Sequence, residues 1–442
     1  MREGNSLFAA WGRVRDSADD GQLALRELRG GRSWSFAEIQ AEVDALPVLA
    51  TGQWCFPTGF DVALIFETLR AWRDGAVLCP VERQSDAPDP AAFDSLPDRV
   101  VHVKLTSGST GGPRLVLFDG DALAADARKI VSTMGLRSEW PNLGVISMAH
   151  SYGFSSLVLP LLLHGIPLVW LGDPLPGAVE TALAVLPSGA LGWTLPAVPA
   201  MWRAWQAGDT LAEKPVRLAI SAGAPLPIEL ERTIHASTGF KIHNFYGSSE
   251  CGGIAYDRFD SPRSSADLVG TAMDETTLSV NEEGCLEVAG DSVALGYLPM
   301  DDHGQLGGGI FRTSDLATID ERGEVRLAGR RDDLINVAGR KISPARIESI
   351  LVRVPGIRHA LVFGCPSPNP TRGDEIVAVV NLEPDEAETI GTAIRAMANQ
   401  LAPHECPRHW WSCPELEPDV RGKLSRSQWR ERFLQSRSDE VE

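Results

Sequence analysis

From Val101 to Tyr246, short apolar runs alternate with stretches in which apolar residues return every three or four positions. The runs Val101–Leu105, Gly144–Met148, Pro167–Leu171, Arg217–Ile220 and Lys241–Phe245 predict strands. The stretches Asp121–Met134, Gly177–Val185, Val198–Gln206 and Glu229–Ala236 predict helices. Alternation of this length implies a parallel sheet with helices on its faces. The most apolar stretch, Leu157–Leu171, is interrupted by Pro160, His164, Gly165 and Pro167 and is too short to span a bilayer, so it predicts a buried helix followed by a strand. From about Leu268 to Leu327 the pattern shifts to short alternating segments, Thr277–Val280, Cys285–Val288 and Glu324–Leu327, punctuated by glycines. That pattern suggests an antiparallel, barrel-like subdomain. After Arg331 a smaller α+β unit is expected, with helices Ala345–Val354 and Glu388–Leu401 and strands Ile357–Phe363 and Ile376–Leu382. Pro403–Pro418 reads as loop, and a last helix starts near Ser425. The fold class is α/β: a large N-terminal domain, residues 1–331, of stacked α/β subdomains with a small barrel-like β subdomain, then a small α+β C-terminal domain, residues 332–442.

At 442 residues the chain exceeds one ordinary core, which agrees with two or more domains. Its formal net charge of −18 argues against nucleic acid or an anionic membrane as partner, since both call for a basic face. The cysteines, Cys55, Cys79, Cys251, Cys285, Cys365, Cys406 and Cys413, are scattered and odd in number, without a C-x-x-C pair. They fit reduced thiols rather than a disulfide framework or a zinc site. The N-terminal residues lack the apolar core of a signal peptide, and a cytoplasmic location is expected.

Candidate chemistry begins at Leu105–Arg114, LTSGSTGGPR, directly after the first strand run. Backbone N–H groups can converge where Gly108, Gly111 and Gly112 permit unusual dihedrals, and Thr106, Ser107, Ser109 and Thr110 add hydroxyl donors. Arg114 closes the run with a planar cationic fork suited to phosphate oxygens. The spacing is not that of a Walker loop. Taken alone, such a run is more often a plain turn. Further along come NFYGSSE (Asn244–Glu250), FRTSDL (Phe311–Leu316), GRRDDLINVAGRKI (Gly329–Ile342) and PDVRGKLSR (Pro418–Arg426).

In this order and at these separations, the motifs resemble the adenylate-forming superfamily of acyl- and aryl-CoA synthetases, acyl-carrier-protein ligases, peptide-synthetase adenylation domains and beetle luciferases. The resemblance runs from about Val101 to the C-terminus. About a hundred residues precede the first motif, fewer than is general in acyl-CoA synthetases, so elements of the first subdomain are expected to be missing.

The resemblance implies a two-step reaction. A carboxylate attacks the α-phosphorus of ATP and expels pyrophosphate, and a thiol then takes the acyl group from the acyl-adenylate. Thr106, Ser107, Gly108, Ser109, Thr110, Gly111 and Arg114 would hold the β- and γ-phosphates; Arg114 stands where relatives usually carry Lys. Glu250 would hold Mg²⁺ through a hard carboxylate oxygen, and Ser249 would direct its hydroxyl to the α-phosphate, beside Tyr246 and Gly247. Gly223 and Ala224, within Ser221–Pro225, would line the adenine pocket. Asp315 matches the aspartate that accepts the ribose hydroxyls, with Ser314 replacing a usual Gly, and Arg330 would also reach the ribose. Asp332 falls at the hinge about which a mobile C-terminal domain turns, and Gly339 where backbone lines the pantetheine tunnel. Lys423 matches the catalytic lysine that screens the carboxylate from the α-phosphate. His150, in AHSYGF, resembles the residue that gates the acyl tunnel; a satisfied core histidine is the competing reading. Tyr152, Phe154, Trp193 and Met201 are placed near the acyl pocket, although apolar residues are more often core.

Gly153–Pro160 carries no acidic residue to pair with a substrate ammonium, which disfavours amino acids. An apolar lining and many tryptophans point to an aromatic acid, with a fatty acid as the alternative. The acceptor is CoA or a phosphopantetheine-bearing carrier protein, which the motifs do not separate. Arg340, Lys341, Arg346, Arg353 and Arg358 cluster early in the C-terminal domain and could dock an acidic carrier protein or the nucleotide end of CoA; a solvated helix face is the other reading. A non-catalytic adenylate-binding or scaffold relative is the remaining alternative. Oligomeric state is left open.

Overall fold

The structure, a computed structural model, describes residues 4–93, 96–106, 114–299, 304–367, 373–382, 389–398, 400–417 and 424–439. The chain divides into two compact units. One comprises Met1–Ser279, Glu287–Thr313 and Ile319–Val325, and the other Val280–Leu286, Ser314–Thr318 and Arg326–Glu442.

In the first unit six strands lie side by side and parallel: Leu23–Glu27, Leu168–Trp170, Asn142–Gly144, Trp193–Ala197, Val216–Ser221 and Ile242–Ser248. Strands covered on both faces carry continuous apolar runs, and every residue of Trp193–Ala197 is buried. Helices Gly120–Met134, Pro176–Leu183, Pro199–Ala207 and Ile228–Thr238 fill the connections, close to the ranges that periodicity implied. The first starts where the Asp119 carboxylate accepts the Ala122 N–H at 2.9 Å and stops at left-handed Gly135. From Asn142–Gly144 the chain moves to the neighbour on one side, Leu168–Trp170, and then returns to place Trp193–Ala197 on the other. That reversal is a topological switch point, and the carboxyl ends of the strands around it form the natural ligand crevice of such a sheet.

Several sequence expectations are corrected. Val101–Leu105 does not join the parallel sheet. As His102–Thr106 it pairs antiparallel with Arg114–Phe118 in a separate five-stranded sheet, Thr106 opposite Arg114, because the short glycine-rich connection leaves no length for a crossover. Of Gly144–Met148 only Gly144 is strand; Val145–Met148 runs on as buried irregular chain. Within Pro403–Pro418 lies a strand, His409–Ser412, whose alternation is hidden by consecutive tryptophans. Trp11, Trp72, Trp193, Trp202 and Trp205 are among the largest fully buried side chains, so tryptophan abundance reflects core and says nothing of the acid. Trp193 is part of that core, its indole N–H bonded to the Leu183 carbonyl at 3.1 Å.

Four buried charges tie the last parallel strand to its flanking helix. Lys241 binds Glu231 and, at 2.5 Å, Asp257, and Arg263 binds the other Glu231 oxygen at 2.8 Å. Removing one partner from a buried, charge-balanced set leaves an uncompensated charge. Glu231→Ala is therefore expected to cost about 3–5 kcal/mol of stability, measured by denaturant unfolding. A loss below about 1 kcal/mol would mean that water reaches and compensates the two buried cations.

In the second unit Ile357–Pro366 pairs antiparallel with Asp374–Leu382, which pairs in parallel with His409–Ser412. Helix Pro344–Leu351 covers one face through Ile347 and Leu351, and Trp429 and Phe433 of Arg426–Asp439 join the core on residues such as Leu361 and Val379. Among the described residues no helix is long and apolar enough to cross a membrane, and all seven cysteines are free.

Candidate active site

The two described ends of the LTSGSTGGPR run face each other across a strand pair, and the Thr106 hydroxyl donates to the Arg114 carbonyl at 3.2 Å. Ser107, Gly108, Ser109, Thr110 and Gly111 lie outside the described residues. The Arg114 guanidinium stands 5.5 Å over the ring of Tyr297. Tyr297 belongs to Gly296–Leu298, which pairs antiparallel with Arg114–Phe118, and its hydroxyl donates to Glu250 Oε1 at 2.9 Å. One aromatic residue thus joins the cationic end of the run to the carboxylate assigned to Mg²⁺. Sequence reasoning missed Tyr297. Its only signal is strand register, which pairs it with Val116 and cannot be read before the sheet is known.

Glu250 sits on a tight turn between Ile242–Ser248 and the antiparallel Gly252–Tyr256. Its N–H donates to the Ser248 hydroxyl at 3.2 Å and its carbonyl accepts from Ala294 N–H at 2.8 Å. Tyr246 and Gly247 prove to be strand residues rather than loop, and Ser249 begins the turn. A Cβ on Gly247 would lie 2.6 Å from the Gly252 carbonyl oxygen, so glycine is what lets the two strands close this tightly. The Glu250 side chain keeps hard carboxylate oxygens on a half-exposed turn. That donor suits Mg²⁺, which commonly takes one or two carboxylates and completes its shell with phosphate oxygens and water.

At the switch point, Ala222 N–H bonds to the Ala197 carbonyl at 3.2 Å, and exposed Gly223 follows with φ of 85°. Ala224 is half-buried beside it. The Tyr152 hydroxyl donates to the Ile220 carbonyl at 3.2 Å, and its ring lies 5.8 Å from Phe245. Tyr152 therefore reaches the ends of two parallel strands, as does Ser221–Pro225. Phe154 is core, its ring tilted against that of buried His102 with centroids 4.5 Å apart, and Met201 packs on the edge of the main core. His150 caps the short turn Ser151–Gly153, and its Nε2 lies 3.2 Å from Glu82 Oε1. The Ser147 hydroxyl bonds to the same oxygen. His150 is thus an exposed-side residue steered by a carboxylate, not a buried core histidine. Glu82 was not singled out from sequence, because a lone Glu in a loop carries no pattern.

In the second unit the two residues assigned to the ribose meet. Arg330 Nε lies 3.4 Å from Asp315 Oδ1 and donates to the Ser314 hydroxyl at 3.0 Å. Ser314, in place of the usual Gly, thus supplies an acceptor that steers Arg330. Asp332 lies in the turn Arg331–Asp333, 3.7 Å from the Arg331 guanidinium. Gly339 has φ of 83° and, with Ala338 at 51°, forms the two-residue turn joining Ile335–Val337 to Arg340–Ile342. Arg340, Lys341, Arg346, Arg353 and Arg358 are all exposed; Arg346 pairs with Glu405 at 2.9 Å and Arg340 with His404. Lys423 lies outside the described residues.

A family model described as AMP-binding enzyme matches residues 70–298, and one described as AMP-binding enzyme C-terminal domain matches residues 346–423. The chain belongs to the AMP-binding enzymes, the adenylate-forming superfamily that its motifs resemble. It is 28% identical over 362 residues to a salicylyl-CoA synthase / salicylate adenylyltransferase of Streptomyces sp, covering 76% of this chain and 64% of that protein. It is 29% identical over 353 residues to the anthranilate–CoA ligase of Pseudomonas aeruginosa, covering 76% and 67%. The chain therefore spans less than two thirds of the first relative's length. Its fold is that of ATP-bound MatB from Rhodopseudomonas palustris, with a TM-score of 0.83, 23% identity, and 98% and 99% of the two chains covered.

Proposed function

We propose that the chain is an ATP-dependent acid–thiol ligase. It joins a carboxylic acid to AMP with release of pyrophosphate, then passes the acyl group to the thiol of a pantetheine arm. The observation that carries this reading is the meeting of Arg114 and Glu250 at Tyr297. A cation for phosphate oxygens, at the start of one strand, and a carboxylate for Mg²⁺, on a tight turn, thus sit within one unit.

In the first step the acid's carboxylate must approach the α-phosphorus in line while like charges repel. Arg114 and the hydroxyls of its run hold the phosphates, and Glu250 would hold Mg²⁺, which when bound neutralises charge on the triphosphate. Asp315 and Arg330 orient the ribose, and Lys423 screens the attacking carboxylate. Positioning and charge neutralisation are what such a transfer requires of a protein, since little covalent chemistry falls to side chains. In the second step the C-terminal domain turns at Asp332 and brings Gly339 to the pantetheine arm. We assign Met1–Arg331 to the first role and Asp332–Glu442 to the moving part.

The acid is assigned to the aryl class, with His150, steered by Glu82, at the mouth of its site. Support comes from the relatives named for salicylate and anthranilate and from the lack of a carboxylate in Gly153–Pro160 for an ammonium. AMP formation with benzoate-type acids, fatty acids and amino acids, each offered with CoA or a carrier protein, tests the assignment. Turnover with amino acids alone would overturn it.

The exposed arginines of the C-terminal domain are assigned to the acceptor. Reversing Arg346 and Arg353 to Glu together is expected to raise KM for the thiol acceptor about tenfold or more by replacing attraction with repulsion. Acid-dependent pyrophosphate exchange should stay intact. An unchanged acceptor KM would remove the patch from the account.

A further inference from the structure

Helix Gly120–Met134 places Asp126 and Lys129 one turn apart, 2% and 1% exposed, behind the turn that follows Glu250. Lys129 Nζ donates to the carbonyls of Cys251 at 2.9 Å and Gly253 at 2.6 Å, and to the Ser292 hydroxyl. Ser292 in turn donates to the Cys251 carbonyl at 2.9 Å. Asp126 Oδ1 accepts the Gly253 N–H at 3.2 Å and lies 3.7 Å from Lys129. Asp126 Oδ2 accepts the Ser155 hydroxyl at 2.5 Å, and Ser155 lies in Phe154–Val158, directly after the turn that His150 caps. Gly252 has φ of 68°, and a Cβ there would fall 1.9 Å from Asp126 Oδ1, so the carboxylate presses directly on the backbone.

A buried ion pair is expensive to desolvate, and apolar residues of the same shape generally pack as well. Here nearly every hydrogen bond of the pair goes to backbone of one turn or to the segment beside the acid site. A second buried cation, Lys104, faces the pair; its Nζ lies 4.4 Å from the Phe118 ring centroid and has no hydrogen-bond partner among the described residues. Burial lowers its pKa, and Asp126 opposes that shift.

We propose that Asp126 and Lys129 are positioning residues that fix the Glu250 turn for Mg²⁺ and, through Ser155, hold the His150 segment in register with it. The proposal rests on the reading of Glu250 given above. Lys129 fastens the turn by its carbonyls and Asp126 by its amide. Moving either would displace the Glu250 carboxylate without touching it.

The test compares Asp126→Asn, Lys129→Met and the double variant in thermal unfolding and in acid-dependent ATP–pyrophosphate exchange titrated with Mg²⁺. Asp126→Asn leaves the Lys129 and Lys104 ammonium groups without their carboxylate and should lose stability, and Lys129→Met strips the turn of its lysine bonds. The double variant removes one of the two cations that Asp126→Asn leaves uncompensated and should be more stable than that single variant. It should still need about tenfold more Mg²⁺ for half-maximal exchange, because the turn has lost its lysine bonds. A double variant with wild-type Mg²⁺ dependence would reduce the pair to packing and overturn the proposal. Should the double variant not fold, Ser292→Ala removes the hydroxyl that donates to the Cys251 carbonyl and accepts from Lys129, without creating a buried charge. It should raise the Mg²⁺ requirement with only a small fall in midpoint temperature, and no rise would equally overturn the proposal. Absence of exchange in the wild-type chain would overturn the reading of Glu250, and the positioning role with it.

Discussion

Lys423→Ala is expected to lower acid-dependent ATP–pyrophosphate exchange by about 10²–10³-fold, the usual effect of removing one group aimed at developing charge. The in-line bond forms between an anionic carboxylate and an anionic phosphate, so a flexible ammonium does most where the two meet. In the proposed mechanism Lys423 is assigned to the carboxylate and not to adenine or ribose, so ATP binding should be largely kept. A second measurement separates this role from general damage to the C-terminal domain. Transfer of the acyl group from added acyl-adenylate to the thiol needs no screening at phosphorus and should stay near the wild-type rate. Equal loss in both half-reactions would point to misfolding, and a loss below about tenfold in exchange would remove Lys423 from the first step.

Glu250→Gln is expected to reduce exchange at low Mg²⁺ by a comparable 10²–10³-fold, with partial recovery as Mg²⁺ is raised. An amide keeps the shape and an acceptor for the Tyr297 hydroxyl, so the turn should persist and stability change little. It loses the anionic oxygen that a hard cation prefers. Tyr297→Phe serves as the graded companion: it removes the 2.9 Å bond to Glu250 but keeps the ring under Arg114, and its effect should be much smaller. If Glu250→Gln exchanged at the wild-type rate at every Mg²⁺ concentration, the carboxylate would have no part in binding the metal.

The parallel core was legible because its strands and helices differ in period, as in Trp193–Ala197 against Pro199–Ala207. The strand His102–Thr106 was legible, but its sheet was not, since an apolar run does not say which neighbour it pairs with. The same limit hid Tyr297. Its link to Arg114 and Glu250 arises from antiparallel register between segments far apart in the chain. Asp315 and Arg330 were found as separate motifs, and the structure adds that they meet and that Ser314 steers the arginine. Asp126 and Lys129 left no trace in the sequence, because a charged pair four positions wide on a helix reads as solvated surface until the helix is seen to be buried.

The most direct test of the whole account is carboxylate-dependent ATP–pyrophosphate exchange by the purified chain, run with and without Mg²⁺ across aryl, fatty and amino acids. The account predicts Mg²⁺-dependent exchange that is fastest with an aryl acid and absent without acid. No exchange with any acid, in protein shown to bind ATP, would contradict it and leave an adenylate-binding protein without ligase activity.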